Sequence, residues 1–174
     1  MVIVTPGNLP TPTLKDFIAL AKAKPGGLNY ASSGVGTSLH LAAELFNALA
    51  GVKTVHVPYR GNGLAQTDLQ GGRVFMFFAA MAGTLPVVQA QRLRALGVTS
   101  SKPTRFLPNT PAIASVLPGY DALNFHGLHA PSNMPAPLVA RLNAETIKVL
   151  KRADVVEKLT GFAMDVYTDT PEHY

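Results

Sequence analysis

The chain has no cysteine, little charge and no uninterrupted membrane-length apolar segment. The lack of cysteine excludes disulfides, thiolate metal sites and cysteine nucleophiles. Charged residues make up 14% of the 174 residues and apolar residues 47%, which is ordinary for a soluble, ordered domain. The uncharged stretch over residues 74–91 contains glycine, proline and glutamine. We therefore predict a buried strand followed by a helix there, rather than a membrane span.

Two further absences limit the classes of partner and the position in the cell. The net charge is +5, but the basic residues are scattered and Lys151–Arg152 is their only adjacent pair. This distribution argues against binding to nucleic acid. The first residues, Met1 to Val4, already resemble an apolar strand, and no secretory signal precedes them. We expect the chain to be a segment of a longer protein, truncated at both ends.

Short apolar runs alternate with amphipathic segments along most of the chain. This alternation is typical of an α/β fold whose sheet is mainly parallel and flanked by helices. The predicted strands are Val2–Val4, Leu28–Ala31, Thr54–Val57, Val74–Phe78, Arg94–Val98 and Leu123–His129. The predicted helices between them are Thr13–Ala23, Thr37–Leu49, Leu64–Leu69 and Leu85–Gln91.

The last third of the chain is rich in proline and has a different pattern. A long helix is predicted from Ala136–Pro137, followed by a shorter one over Asp154–Leu159. A last strand is predicted over Phe162–Val166. We therefore divide the chain into an α/β part, residues 1–125, and a crossover with C-terminal elements, residues 126–174.

A serine- and glycine-rich loop after the second strand predicts an anion site. Gly34 and Gly36 allow tight turns, and Thr37 or Ser38 can cap the following helix. The N–H groups and the positive dipole end of that helix favour carboxylates and phosphates. Because ligands bind beyond the carboxyl ends of parallel strands, residues 58–63 and 79–84 are expected at the same edge. Tyr59 and Arg60 supply a phenol and a guanidinium there.

Other interpretations of this loop stay open. A phosphate-binding P-loop would need a lysine where Gly36-Thr37-Ser38 has none. A dinucleotide fingerprint would need a small residue where Leu39 stands, and an acid about twenty residues on. A plain strand-to-helix turn without a ligand is a further alternative.

The residues give little support to catalysis, a metal or a cofactor. Ser33 does not lie in a Gly-x-Ser-x-Gly elbow, although a small hydrolase using it stays an alternative. His40 falls in the first turn of a helix, where we expect it to be packed or locally hydrogen bonded. His126 and His129 fall on opposite faces of a predicted strand, which disfavours a shared metal. The chain is therefore predicted not to be an enzyme, and to need no cofactor or metal.

Three motifs follow one another along the chain: NYASSGVGTSLHL over Asn29–Leu41, HVPYRG over His56–Gly61 and LRALGVT over Leu93–Thr99. Together they resemble the Bug family, the periplasmic solute-binding proteins of tripartite tricarboxylate transporters, over essentially the whole chain. The resemblance implies two lobes that hold a small carboxylate between them, and membrane components of the transporter as partners. It also implies that residues 1–125 are the second, ligand-binding lobe and that the C-terminal elements in residues 126–174 belong to the other lobe.

Carried over by motif, the resemblance implies a set of ligand contacts. These are Ser33, Gly34, Gly36 and Thr37, with Tyr59, Arg60 and Gly61 nearby. The segment that would form the first lobe lies outside these residues, so we expect weak binding by the chain alone and consider a homodimer.

One departure from the family pattern bears on the ligand. Members commonly carry an acid or amide where Ala79-Ala80 stands here, so an ammonium-bearing ligand loses a partner. The alternative of a different class is the effector-binding domain of a bacterial transcription regulator, which would be cytoplasmic.

Overall fold

The first 124 residues form a five-stranded sheet with four α-helices, as the alternating pattern predicts. They are the first of two compact units in this computed structural model, which describes residues 1–173. The strands are β1 Val2–Pro6, β2 Asn29–Ser32, β3 Val55–Pro58, β4 Met76–Ala79 and β5 Leu93–Val98. The helices are α1 Leu14–Ala23, α2 Ser38–Ala50, α3 Asn62–Gln70 and α4 Met81–Gln89.

The sheet is mixed, although four of its strands run in one direction. The strand order is β3-β2-β4-β1-β5. β2 pairs in parallel with β3 and β4, whereas β1 lies antiparallel between β4 and β5. The prediction of a mainly parallel sheet is confirmed with β1 as the exception, and the carboxyl ends of β2 to β5 share one edge.

The helices cover both faces of the sheet. Phe46 of α2 packs against Phe17 of α1 and Phe78 of β4, with ring centroids 6.5 Å and 5.8 Å apart. The Gln66 side chain of α3 donates to the Gly83 carbonyl (3.0 Å) and the Thr84 hydroxyl (2.8 Å) of α4. Right-handed crossovers in opposite directions place α2 and α3 on opposite faces. Strand β4 is therefore buried along its whole length.

Helix α4 begins four residues earlier than the sequence predicts. Leu85-Pro86 resembles a helix start, because proline is common at the first helical position. In the structure the helix starts at Met81, directly after Ala80, and Pro86 lies inside it. The predicted loop over residues 79–84 is thus mostly the first turn of a helix. Over residues 1–173, no helix is both long and apolar enough to span a membrane.

The second unit starts at Phe125 and contains two helices, α5 Ala136–Leu150 and α6 Ala153–Gly161. The strands predicted over Leu123–His129 and Phe162–Val166 are wrong, since residues 123–129 are irregular and Phe162 ends α6. A strand needs a neighbour for its backbone hydrogen bonds, and within the described chain no strand pairing involves residues 125–173. Neither helix of this unit has a buried side chain.

Candidate functional site

The loops after β2 and β4 leave one edge of the sheet in opposite directions. From β2 the chain passes to β3 on one side, and from β4 it passes over β1 to β5 on the other. The two strands are neighbours, so the connections diverge between them. In open α/β sheets, such a topological switch point is where ligands bind. The expected anion loop, residues 33–37, lies on the β2 side of this switch point.

The backbone of this loop takes conformations that favour glycine. The φ angles of Gly34 and Gly36 are 138° and 78°. Thr37 is the N-cap of α2, and its hydroxyl accepts from the His40 N–H at 3.3 Å. The same hydroxyl donates to the Gly34 carbonyl at 2.8 Å. The predicted glycine turns and threonine cap are therefore both present.

Two N–H groups of the loop are already hydrogen bonded within the protein. The Gly34 N–H donates to Ser32 Oγ at 3.1 Å, and the Gly36 N–H donates to His40 Nδ1 at 3.2 Å. Among residues 1–173, the N–H groups of Ser33, Val35, Ser38 and Leu39 meet no acceptor. Leu39 is buried, whereas Val35 and Ser38 are not. The N–H groups of Val35 and Ser38, together with that of Ser33, are therefore free to bind a ligand, and those of the glycines are not.

The loop after strand β3, which contains Tyr59, Arg60 and Gly61, lies beside the anion loop. The Tyr59 N–H donates to the Ser32 carbonyl at 3.0 Å, and a Cβ on Gly34 would lie 4.0 Å from the Tyr59 carbonyl oxygen. Arg60 is exposed. Gly61, with φ 106°, precedes the first residue of α3. The sheet thus brings the backbones of the two loops together.

The phenol of Tyr59 is engaged elsewhere. It donates to Asp68 Oδ2 at 2.8 Å, and the other oxygen of Asp68 accepts from Arg73 at the same distance. Burial, followed by the hydrogen bond to Asp68, raises the pKa of Tyr59. The hydrogen bonds from Tyr59 and Arg73 lower the pKa of Asp68. The phenol therefore serves this network and is not part of the anion loop.

Ala79 and the starts of two further helices complete the edge. Ala79 is buried and pairs with Val2 of β1. The β2–β4 register, extended by two residues, places Ala79 beside Ser33. α3 and α4 follow β3 and β4 directly, and neither has a side-chain cap. Three helix N-termini with their positive dipole ends therefore lie at one edge of the sheet.

An unpaired amide also lies at this edge, at the first residue of α3. Asn62 Oδ1 is buried and has no hydrogen-bond partner in the described chain. Because a buried acceptor normally finds a donor, this oxygen suits a bridging water or a ligand hydroxyl.

A cluster beneath the loop was not predicted as a unit. Its side chains are those of Tyr30, His40, Glu44 and His56, with Ser32. The His40 and His56 rings stack with centroids 4.2 Å apart, and Tyr30 lies 4.8 Å from His56. His56 Nε2 lies 2.7 Å from Ser32 Oγ. The Tyr30 hydroxyl donates to Glu44, one turn after His40 on α2.

The sequence shows a two-residue spacing between Tyr30 and Ser32 on β2 and a four-residue spacing between His40 and Glu44 on α2. Only the sheet register, which pairs Tyr30 with His56, joins them. Burial, and then the neighbouring His40, lower the pKa of His56, while Glu44 opposes this shift.

This cluster argues against the hydrolase interpretation. The histidine contacts Ser32, not Ser33, and Ser32 is fully buried. A nucleophile must reach its substrate, which a buried hydroxyl cannot do. Within residues 1–173, no group of three or more histidine, aspartate and glutamate side chains is placed to hold a metal.

A protein-family model described as the tripartite tricarboxylate transporter family receptor matches residues 1–174. The chain belongs to this family. A UPF0065 protein from the tcbD–tcbE intergenic region of a Pseudomonas species is 40% identical over 98% of this chain and 52% of its own length. BugT of Bordetella pertussis is 30% identical over 99% of this chain and 53% of its own length. The chain thus spans about half the length of these relatives.

Solved structures give the same picture of the fold. The Rhodopseudomonas palustris protein Rpa4515, with adipate, is 29% identical with a TM-score of 0.89 over 99% of this chain and 58% of its own. MatC of the same species, with bound malate, is 27% identical with a TM-score of 0.83 over 92% of this chain and 55% of its own. The predicted family and periplasmic-binding-protein-like α/β fold are confirmed.

Proposed function

We propose that the chain forms the carboxylate-binding part of a periplasmic receptor that delivers its ligand to the membrane components of a tripartite transporter. The observation that carries the proposal is the set of three helix N-termini at the sheet edge that contains the β2/β4 switch point. Such a site attracts anions without catalytic groups. The site residues remain those expected: Ser33, Gly34, Gly36, Thr37, Tyr59, Arg60, Gly61 and Ala79.

The geometry supports a division of roles among these residues. Val35 and Ser38 are added as backbone donors, because their N–H groups are free, whereas Gly34 and Gly36 shape the loop. Tyr59 and Gly61 contribute backbone beside it, and Arg60 contributes an exposed positive charge. Ala79 provides a small apolar wall next to Ser33.

The ligand class we propose is a small dicarboxylate. Relatives hold adipate and malate, and the helix N-termini favour carboxylate groups. The methyl group of Ala79 offers no charge to an ammonium group, so plain dicarboxylates should bind better than acidic amino acids. The Asn62 Oδ1 atom, which has no partner in the described chain, is free to accept a hydrogen bond from the hydroxyl of a ligand such as malate.

Ligand-observed NMR with adipate, malate, glutamate and the uncharged 1,6-hexanediol tests this proposal. Because a site between two lobes takes donors from both, the 174-residue chain should bind weakly, with a Kd on the order of 1 mM. Adipate and malate should bind more tightly than glutamate, and hexanediol should not bind. Equal signals from hexanediol and adipate would contradict a carboxylate site.

A matched pair of glycine variants locates the site on the loop. Gly36 and Gly51 lie at opposite ends of α2, both have positive φ (78° and 61°), and both have open space at the Cβ position. Valine should strain both positions similarly. Gly36→Val should abolish binding, whereas folded Gly51→Val should retain it. Equal binding by both folded variants would exclude the loop.

A further inference from the structure

Two stacked histidines support the anion loop from below. His40 lies in the first turn of α2 and His56 lies on β3, and their ring centroids are 4.2 Å apart. His40 Nδ1 lies 3.2 Å from the Gly36 nitrogen, and His56 Nε2 lies 2.7 Å from Ser32 Oγ. Ser32 Oγ in turn accepts from the Gly34 N–H. Each histidine is therefore linked to one glycine of the loop.

The hydrogen bond from Gly36 requires one protonation state of the His40 ring. A backbone N–H can only donate, so His40 Nδ1 must carry a lone pair where it meets Gly36. The ring proton then lies on Nε2 and the ring is neutral. A second proton on His40 would place two donors face to face and break the contact. The link through His56 is less strict, because the Ser32 hydroxyl can accept as well as donate.

We propose that His40 and His56 are positioning residues of the anion loop, and that the loop keeps its carboxylate-binding shape only while His40 is unprotonated. The consequence for the ligand rests on the function proposed above. While Ser32 and His40 accept the glycine N–H groups, the N–H groups of Val35 and Ser38 stay free. Protonation would release Gly36 and change the backbone between these two donors.

The groups that face the His40 ring come from three elements. The rings of Tyr30 of β2 and His56 of β3 stack on the His40 ring, and Glu44 lies one turn after His40 on α2. Glu44 is the one carboxylate of this group, and it accepts from the Tyr30 hydroxyl. Two imidazolium rings 4.2 Å apart would repel each other. Release of the loop predicts weaker carboxylate binding in acid, whereas simple attraction to a charged histidine predicts stronger binding.

Two His40 variants separate these possibilities. In His40→Asn, the side-chain oxygen takes the place of Nδ1 and can accept from Gly36 but does not titrate near neutral pH. In His40→Phe, the ring can still stack on His56 but has no acceptor. Circular dichroism is used to check that both variants fold.

The first measurement needs no ligand and therefore does not depend on the proposed function. The Gly36 amide resonance of the 174-residue chain is followed from about pH 8 to about pH 5.5, a range that includes the ordinary histidine pKa. We expect it to shift with the titration of His40, and to stay constant in His40→Asn. A Gly36 amide that is insensitive to His40 titration would overturn the proposal, even if carboxylates bind.

The second measurement is adipate affinity over the same range. The unmodified chain should lose about tenfold in affinity on acidification, which is about 1.4 kcal/mol. The affinity of His40→Asn should change over this pH range only through the titration of adipate itself. His40→Phe should bind adipate weakly at both the high and the low end of the pH range. If the unmodified chain binds adipate more strongly than His40→Asn does at acidic pH, the proposal is overturned. No binding by any form would reject the proposed function and leave the amide measurement to decide the role of His40.

Discussion

The N–H groups of Gly34 and Gly36 are occupied within the protein, because Ser32 and His40 accept their hydrogen bonds. A glycine in an anion loop therefore need not donate to the anion. Here the two glycines provide backbone angles that other residues rarely adopt. The donors left for a ligand include the N–H groups of Val35 and Ser38, whose side chains carry no indication of that role.

At the same scale, Tyr59→Phe should destabilise the protein and leave carboxylate binding unchanged. The substitution removes the hydrogen bond to Asp68, which should cost about 1 kcal/mol. Urea unfolding and ligand-observed NMR measure the two effects. Tyr167→Phe, at an exposed position, is the control. A loss of affinity in folded Tyr59→Phe would mean that the phenol contacts the ligand.

The same network predicts a pH dependence. The folded-state pKa of Asp68 is lowered, first by the Tyr59 hydrogen bond. Its stabilising contribution is therefore present above the ordinary pKa of 3.8 and is lost as the pH falls through the folded-state value. The stability difference between the chain and Tyr59→Phe should shrink below about pH 4, as acid-unfolding curves can show.

How well the sequence predicts each residue depends on how local its contacts are. The Thr37 cap and the glycine turns follow from neighbours within four residues, and both are present. The Ser32–His56 and Tyr59–Asp68 contacts join separate elements, so they depend on strand register and helix rotation. The sequence therefore indicated the loop but not the network that holds it.

Helices and strands were predicted well where capping residues and apolar periodicity mark their ends. The sequence pattern of α2 agrees with its observed bounds, because a cap precedes it and apolar residues recur along it. The start of α4 was missed, because β4 runs into it without a capping side chain. The antiparallel direction of β1 was also missed, since a buried strand has the same composition in either direction.

Thr37→Val tests the cap of α2 as an element. The substitution keeps the branched shape but removes the hydroxyl, which accepts from His40 N–H and donates to the Gly34 carbonyl. We expect a loss of about 1–2 kcal/mol in unfolding free energy, whereas Thr37→Ser should lose much less. Thermal and urea unfolding measure both variants. Equal stability of the two would show that the hydroxyl does not support the helix.

On the scale of the whole molecule, the two units differ in how they are held. The first has a buried core that includes all of β1 and β4. The second has apolar side chains on α5 and α6, but none of them is buried by the described residues. The assignment of residues 1–125 to a ligand-binding lobe, and of 126–174 to the other lobe, stays a prediction.

This difference predicts unequal protection from amide exchange. Backbone hydrogen bonds in the second unit should open by local fluctuations that cost little free energy, because few apolar contacts oppose them. Amides of α5 and α6 should therefore exchange much faster than those of β2 and β4, as hydrogen–deuterium exchange followed by mass spectrometry would show. Similar protection in both units would mean that the second unit has a stabilising core.

The central claim is that a carboxylate binds at the β2/β4 edge through free backbone N–H groups. The most direct test is an amide NMR titration of the isotope-labelled chain with adipate. We predict that the largest shifts occur at Val35 and Ser38, with further shifts at residues 62–63 and 81–82. Shifts centred in residues 125–173, or around Arg94 at the far end of the sheet's β5 strand, would contradict the claim.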